Sequence, residues 1–575
     1  MASTRHCRDV ILSRLQAAEG YIAPVSSFTS PRMTSFLVSL AVLLCSSSLL
    51  SQSRPEARHI PSGPYRIAGT IVNAKTGDPI ARARVTIEDV KNRRKSESVV
   101  TSDNGRFEFH VNAGKFALQG SKRGYITSGY EQHDQYWTAI VTGAGLDTEN
   151  LVFRLPPAAV LAGKVLDETG EPVRNARIGI YREDRFSGVS RIGMLRTAQT
   201  DDQGQYEATP LPAGTYFVSV TAQPWYAVHH VSASDDLPSM VDRSLDATYP
   251  LTYYGDVTES EDATPIPVRG GDRLEADIHL SPVPALHLTF QVPDDGRNGI
   301  NTPVLEKPAF DGMERAESYD IERVSPGVYE MTGVAAGRYV VRMPDSPGQL
   351  KEPAEVDLTS GQELEVSGGN STGKVTATVQ VAGDPGLPAG LQLVLRNAKG
   401  RMAGRAEADA TTGEFVFNDV PSGRYVVLAA SPNKAYSVIR IGSADGVVSG
   451  HTLDVPAGAS LTVSLSLAGG SAAIEGFAKR GNKPAAGAMI VLVPTDPEAN
   501  QELFRRDQSD LDGSFSLQDV IPGAYTVIAI HDGWDLDWAK PAVLAAYLKY
   551  GQTIVIPSQS RGSVPLPKPV ELVEK

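Results

Sequence analysis

A chain of 575 residues is too long for one hydrophobic core, and a soft prior of roughly 100–200 residues per domain divides it into several. Its 41% apolar content excludes bulk disorder, and its 53 glycines and 39 prolines exceed the roughly 12% of an average chain, as many turns require. A formal charge of −13 excludes nucleic acid as partner, because phosphate binding needs a basic face.

The first element in the chain is an apolar run. After Arg32 comes "MTSFLVSLAVLLCSSSLL", too short for a membrane span of about 20 residues and built like a signal-peptide core. Residues 1–53 are read as a signal-peptide region, with Met33 an alternative start, and the mature N-terminus is expected between about residues 50 and 58. Export to periplasm, outer surface or medium follows, with membrane contact only through this segment if it stays uncleaved. Both cysteines, Cys7 and Cys45, fall here, so no disulfide framework holds the exported chain together.

Beyond it, one phrase recurs. "TDDQGQYEATPLPAGTYFVSV" (201–221) carries Gly204, Tyr206, Gly214 and Tyr216. The same spacing returns as Gly327, Tyr329, Gly337, Tyr339; as Gly413, Phe415, Gly423, Tyr425; and as Gly513, Phe515, Gly523, Tyr525. The earliest copy, one residue shorter, is Gly105, Phe107, Gly114, Phe116. Successive first glycines are 99, 123, 86 and 100 residues apart, the size of a small β-sandwich. Turns such as "SDNG", "TDDQG" and "DLDG" open the first strand, Pro212, Pro421 and Pro522 break three of the copies one or two residues before the second glycine, and a second strand returns with its aromatic facing a core. The basic run "KNRRK" (91–95) reads as a solvated hairpin tip. Upstream stand "PIARARVTI" (79–87), "PVRNARIGI" (172–180) and "PAAGAMIVL" (484–492), each with Pro, a small residue four later, then alternating aliphatics. "TENLVFRL", "RLEADIHL", "HTLDVPAGASLTVSLSL" and "QTIVI" read as closing strands.

These residues predict an all-β tandem array of about five seven-stranded β-sandwiches, Ig-like in size and strand number. The boundaries are 65–156, 157–282, 283–369 (divergent, without the Pro-x-x-x-Ala phrase), 372–468 and 472–560, with 561–575 a flexible tail. One helix is expected in "KPAVLAAYLKY", where Val543, Leu544, Tyr547 and Leu548 share a face over Trp534 and Trp538. Short linkers imply an elongated, bent array. The run "GKVLDETGEPVRNARIGIYRE…TDDQGQYEATPLPAGTYFVSVTA" resembles the carboxypeptidase regulatory-like domain, which implies a transthyretin-like sandwich, with the starch-binding-like and collagen-adhesin sandwiches as neighbours. The resemblance implies tandem domains of bacterial envelope proteins that accompany enzymes and transporters without doing their chemistry.

The chain offers no catalytic motif. None of its ten histidines has a Glu three residues later, and there is no Gly-x-Ser-x-Gly elbow and no phosphate loop. Asp-Gly turns such as "SDLDG" (509–513) lack the late bidentate Glu of a calcium loop, and His229 and His230 would face opposite sides of a strand. No enzyme, no cofactor and no metal are expected. The surplus lies in residues 223–256, where Trp225, Tyr226, Tyr249, Tyr253 and Tyr254 exceed what a hairpin needs. Trp225, Tyr253 and Tyr254 are the candidate ligand-binding residues, for a glycan or an envelope protein. The function expected is a non-catalytic surface or periplasmic scaffold of adhesion type, with carbohydrate binding as the alternative.

Overall fold

The computed structural model describes residues 60–575, apart from 230–241, 292–302, 343–353, 365–372 and breaks of one to four residues elsewhere. The signal-peptide region and its cleavage window lie outside the described residues, as do His230 and Gly327.

All five sandwiches form, and each starts the same way. Tyr65–Asn73 lies between Arg106–Val111, antiparallel, and Leu151–Leu155, parallel. Ala159–Leu166, Leu286–Gln291, Gly373–Val381 and Ala472–Arg480 are flanked likewise, by the Gly-x-aromatic strand on one side and a closing strand on the other. The opposing sheet of sandwich 1 runs Asn92–Val100, Arg84–Asp89, Gly114–Ser121. Sandwich 3, which lacks the upstream phrase, still builds two four-stranded sheets.

The repeated residues explain the repetition. Gly105, Gly204 and Gly513 sit at φ 74°, 69° and 79°, and a Cβ there would come within 2.7, 2.7 and 2.4 Å of the carbonyl of Ile71, Val165 and Ala478. Only glycine fits that conformation at that distance. Its own carbonyl accepts from the amide two positions beyond Gly69, Gly163 and Gly476, respectively Ile71, Val165 and Ala478, at 2.9, 2.9 and 2.7 Å. The second aromatic is buried in every copy: Phe116, Tyr216, Tyr339, Tyr425 and Tyr525. Where it is tyrosine, its hydroxyl donates to the carbonyl four residues earlier, at Pro212 (2.7 Å), Ala335 (2.8 Å), Pro421 (2.9 Å) and Ile521 (2.8 Å). The corner residue thus feeds an otherwise dry phenol its acceptor. A further repeat is invisible in the pattern of apolar residues. Thr101, Thr200 and Ser509 are buried and receive the amide of Ala83, Ala176 and Ala488, the small residue of the upstream phrase, at 2.9, 2.8 and 2.9 Å.

Several expectations are corrected. Residues 561–575 are not a flexible tail: Gly562–Pro565 pairs in parallel with Ala472–Arg480 and is the closing strand of sandwich 5, while Val570–Glu574 pairs with both Ala472–Arg480 and Gly523–His531. "QTIVI" (Gln552–Ile556) instead edges the other sheet. Pro565 and Pro567 hid the strand, yet an edge position needs no amide on its outer side. The tip of the first hairpin is at Val90 and Lys91, and Asn92–Val100 takes the rest of "KNRRK" into a strand. The helix spans Pro541–Leu548 and buries Leu544 and Tyr547 beside Trp538, as expected, but Trp534 reaches beyond it to His133 of sandwich 1. Sandwiches distant in sequence therefore touch, which a simple string would not allow. Among the described residues no helix is long and apolar enough to cross a membrane.

Candidate functional site

The aromatic insertion of sandwich 2 is divided among three environments. Thr252–Tyr253 adds to Gly214–Thr221 by pairing Ser219 with Tyr253, so the pleat sends Tyr253 and Tyr254 to opposite faces. Tyr254 packs, half-buried, against the core of sandwich 2. Tyr253 faces away from that core but has 0% exposure, because Phe310 of sandwich 3 covers it at 5.5 Å between ring centroids. The outward face predicted for a ligand is occupied by the next domain. Trp225 alone remains open, 81% exposed and edge-on to Tyr226 at 5.8 Å. Tyr226 and Tyr249 both donate to Glu168, at 2.6 and 2.9 Å, which fixes the base of that loop. Burial, then the Glu168 hydrogen bond, push the Tyr226 phenol up to about 12.

The seam between sandwiches 2 and 3 is built around Phe310. Its ring lies 5.0, 4.8 and 5.5 Å from Tyr181, Phe217 and Tyr253. Two buried charges border it: Glu314 accepts from the Tyr181 hydroxyl, and Lys307 donates to the Thr258 carbonyl at 2.7 Å and to Glu259 at 3.2 Å. His229 and His287 bind the two oxygens of Asp246 at 2.8 Å each, and His287 reaches Glu330 at 3.0 Å with its other nitrogen. That chain crosses from the insertion into sandwich 3.

The seam between sandwiches 1 and 5 holds a buried cation. Alternation along Arg505–Gln508 turns Arg506 and Gln508 toward sandwich 1. The Arg506 side chain is 3% exposed, its Nη2 lies 3.1 Å from Asp134, and its guanidinium stands 4.3, 5.3 and 5.8 Å over Trp538, Tyr136 and Trp534. His133 stacks on Trp534 at 4.8 Å and contacts Gln508 at 3.1 Å. Gln508 donates to the Glu131 carbonyl and to Thr138, at 2.6 and 2.8 Å. Asp510 receives the Ala139 amide at 2.9 Å and pairs with Lys115. Burial raises Asp510 above the usual carboxylate range, with Lys115 opposing. Sandwich 2 joins the same domain through Ser190 and Arg185, both bound to Asp537.

Sequence reasoning missed this seam. Its one local signal is an arginine at a core-facing position of an alternating strand; its partners in sandwich 1 lie about 370 positions away. The carboxylates of the Asp-Gly turns serve backbone and neighbours: Asp201 accepts from Gln203 and Gln205, and Asp512 from Ser514. Among the described residues no group of three or more His, Cys, Asp or Glu is placed to hold a metal ion.

The carboxypeptidase regulatory-like domain family matches residues 66–153 and 160–246, and the second β-sandwich domain of the BOS complex subunit NOMO1-like family matches 474–553. The chain thus carries repeated β-sandwich domains. The second match ends inside the aromatic insertion, and the third stops short of the two last strands. Among solved structures, the Bacillus anthracis TIE protein is 11% identical, covering 70% of this chain and 74% of its own, with a TM-score of 0.17. A Streptococcal ancillary pilin is 12% identical over 52% of this chain and 98% of its own, with a TM-score of 0.18. The minor pilin GBS52 of Streptococcus agalactiae is 13% identical over 38% and 97%, with a TM-score of 0.20. At such TM-scores the likeness does not extend to what those proteins do.

Proposed function

We propose that this chain of carboxypeptidase regulatory-like sandwiches is an exported, non-catalytic scaffold of the cell envelope, resident in the periplasm, on the surface or in the medium. The observation that carries the reading is the buried seam at Arg506, which fastens the last sandwich to the first. A string of independent modules has no use for a desolvated guanidinium between domains 1 and 5, whereas a frame that holds its parts at set angles does. The apolar run after Arg32 supports export. Fractionation of cells, with mass spectrometry of the mature N-terminus, tests it. An envelope protein beginning between about residues 50 and 58 is the expected result. Cytosolic protein that retains residues 34–50 overturns it.

Trp225 favours a second reading, a glycan or envelope-protein contact, because a tryptophan 81% exposed on an anchored loop is the surface a sugar ring would use. A glycan array of the mature protein beside its Trp225→Ala variant tests this. Capture that is lost while the melting curve stays unchanged supports the contact. Capture by neither form, or equally by both, removes it.

A further inference from the structure

We infer that the cleft between sandwiches 4 and 5 binds a small oxyanion-bearing ligand, a carboxylate or sulfate group carried on a ring or an apolar body. The cleft has a volume of about 440 Å³, within the range of small-ligand sites. Its walls come from Gln392–Asn397, Gly423–Ala430 and the start of Tyr436–Ser443 on one side, and from the loop before Arg505–Gln508 on the other. Val394, Val426 and Leu428 form an apolar floor beside Tyr436, and Met402 is 59% exposed at the rim.

The charge of this cleft is anomalous. It is lined by Arg396, Lys434 and Arg505 against the single carboxylate of Glu502, in a chain whose net charge is −13. At the seams between sandwiches 1 and 5 and between 2 and 3 the sheltered cations meet carboxylates: Arg506 with Asp134, Lys115 with Asp510, Lys307 with Glu259. Here none of the three forms an ion pair among the described residues. Arg505 is half-buried and held entirely by carbonyls: Glu502 at 2.8 Å, Phe504 at 2.7 Å and Asp519 at 3.0 and 3.2 Å. Those four contacts orient the guanidinium without an ion pair, and burial lowers its proton affinity against the pull of Asp519 and Glu502. Glu502 is engaged with Ser437 at 3.3 Å. Lys434 stands over the Tyr436 ring at 5.5 Å, and Arg396 has no hydrogen-bonding partner among the described residues. Two cations with free donors and one fixed cation around an apolar floor suit a planar or tetrahedral oxyanion, with the ligand's body against the floor.

The test is calorimetric titration of the full mature chain with glucuronate, glucose 6-sulfate, inorganic sulfate and neutral glucose, at low and high salt. The reporters are Arg396→Gln, Lys434→Gln and the double variant, which leave Arg505 and its carbonyl contacts in place. Saturable binding of glucuronate or glucose 6-sulfate that weakens with salt, and falls at least tenfold in the double variant at an unchanged melting temperature, is expected. Inorganic sulfate that competes separates recognition of the anion alone from recognition of its ring. Glucose should not bind. No saturable binding of any charged probe at millimolar concentration, or binding that survives in the double variant, overturns the inference. The scaffold reading does not depend on it, since that is tested by location and N-terminus.

Discussion

Arg505 and Arg506 are adjacent on one strand, so the pleat turns them to opposite faces of sandwich 5. Arg506 enters a seam where Asp134 and three aromatic rings await it, and it becomes a lock between domains. Arg505 turns toward Ser514–Val520 and the cleft with sandwich 4, where it meets only carbonyls, and it leaves positive charge facing an open space. The two residue types and their local sequence are the same. What separates them is the surface each one finds: for Arg506 a loop about 370 positions upstream, for Arg505 the carbonyls of its own sandwich beside an open cleft. A guanidinium in a dry place is a fastener only when its counter-charge arrives with it.

The strongest test removes one side of that comparison. Tyr425→Ala should destabilise sandwich 4 by about 3–5 kcal/mol, since it takes a buried ring from the core. Hydrogen exchange should then rise through Gly373–Val381 while the Ala139 and Leu511 amides, which belong to the Arg506 seam, keep their protection. Loss of protection at both places would mean that the seams are not independent.

Arg506→Ala should act in reverse, costing about 2–3 kcal/mol through lost cation–π contact and a vacated aromatic cage. The Trp534 and Trp538 emission should shift to the red, and the Ala139 and Leu511 amides should exchange faster. An unchanged spectrum and unchanged exchange would show that the seam does not rest on the guanidinium.

Asp507 sharpens the comparison by pH. Burial raises it from 3.8 to about 6, against the hydrogen bonds from the Ser516 and Gln508 amides. A carboxyl with a raised folded value binds more protons folded than unfolded between those two values, so stability falls as pH rises through that window. The melting temperature of sandwich 5 should therefore climb as pH is lowered from 7 toward 5, and Asp510, raised in the same direction, adds to it. Asp507→Asn should flatten the profile; a wild-type melt that is already flat there contradicts the assignment.

Two smaller effects complete the series. Tyr425→Phe removes only the hydroxyl that bonds the Pro421 carbonyl and should cost about 1 kcal/mol in a denaturant melt. Trp225→Ala should change stability by less than about 0.5 kcal/mol, because an exposed ring contributes little to the fold. A larger loss would place Trp225 in the packing of the insertion and remove it as a contact surface.

The amino-acid sequence by itself determined the five-fold repetition, the all-β class and the burial of the repeated aromatics. These depend on contacts within one domain: Gly204 at its positive φ against the Val165 carbonyl, or Tyr216 reaching back four residues to Pro212, need nothing from outside the sandwich. The strand inside "561–575" was hidden because its prolines argue against a strand unless the edge it occupies is known. The candidate aromatics were only partly legible. Alternation alone puts Tyr253 and Tyr254 on opposite faces of a strand, but that Phe310 covers Tyr253 is a fact about a different sandwich. Tertiary structure alone decided which faces are seams and which stay open. Periodicity tells which side a residue points to, but what waits on that side is settled by where the chain returns, and for Arg506 it returns with the opposite charge.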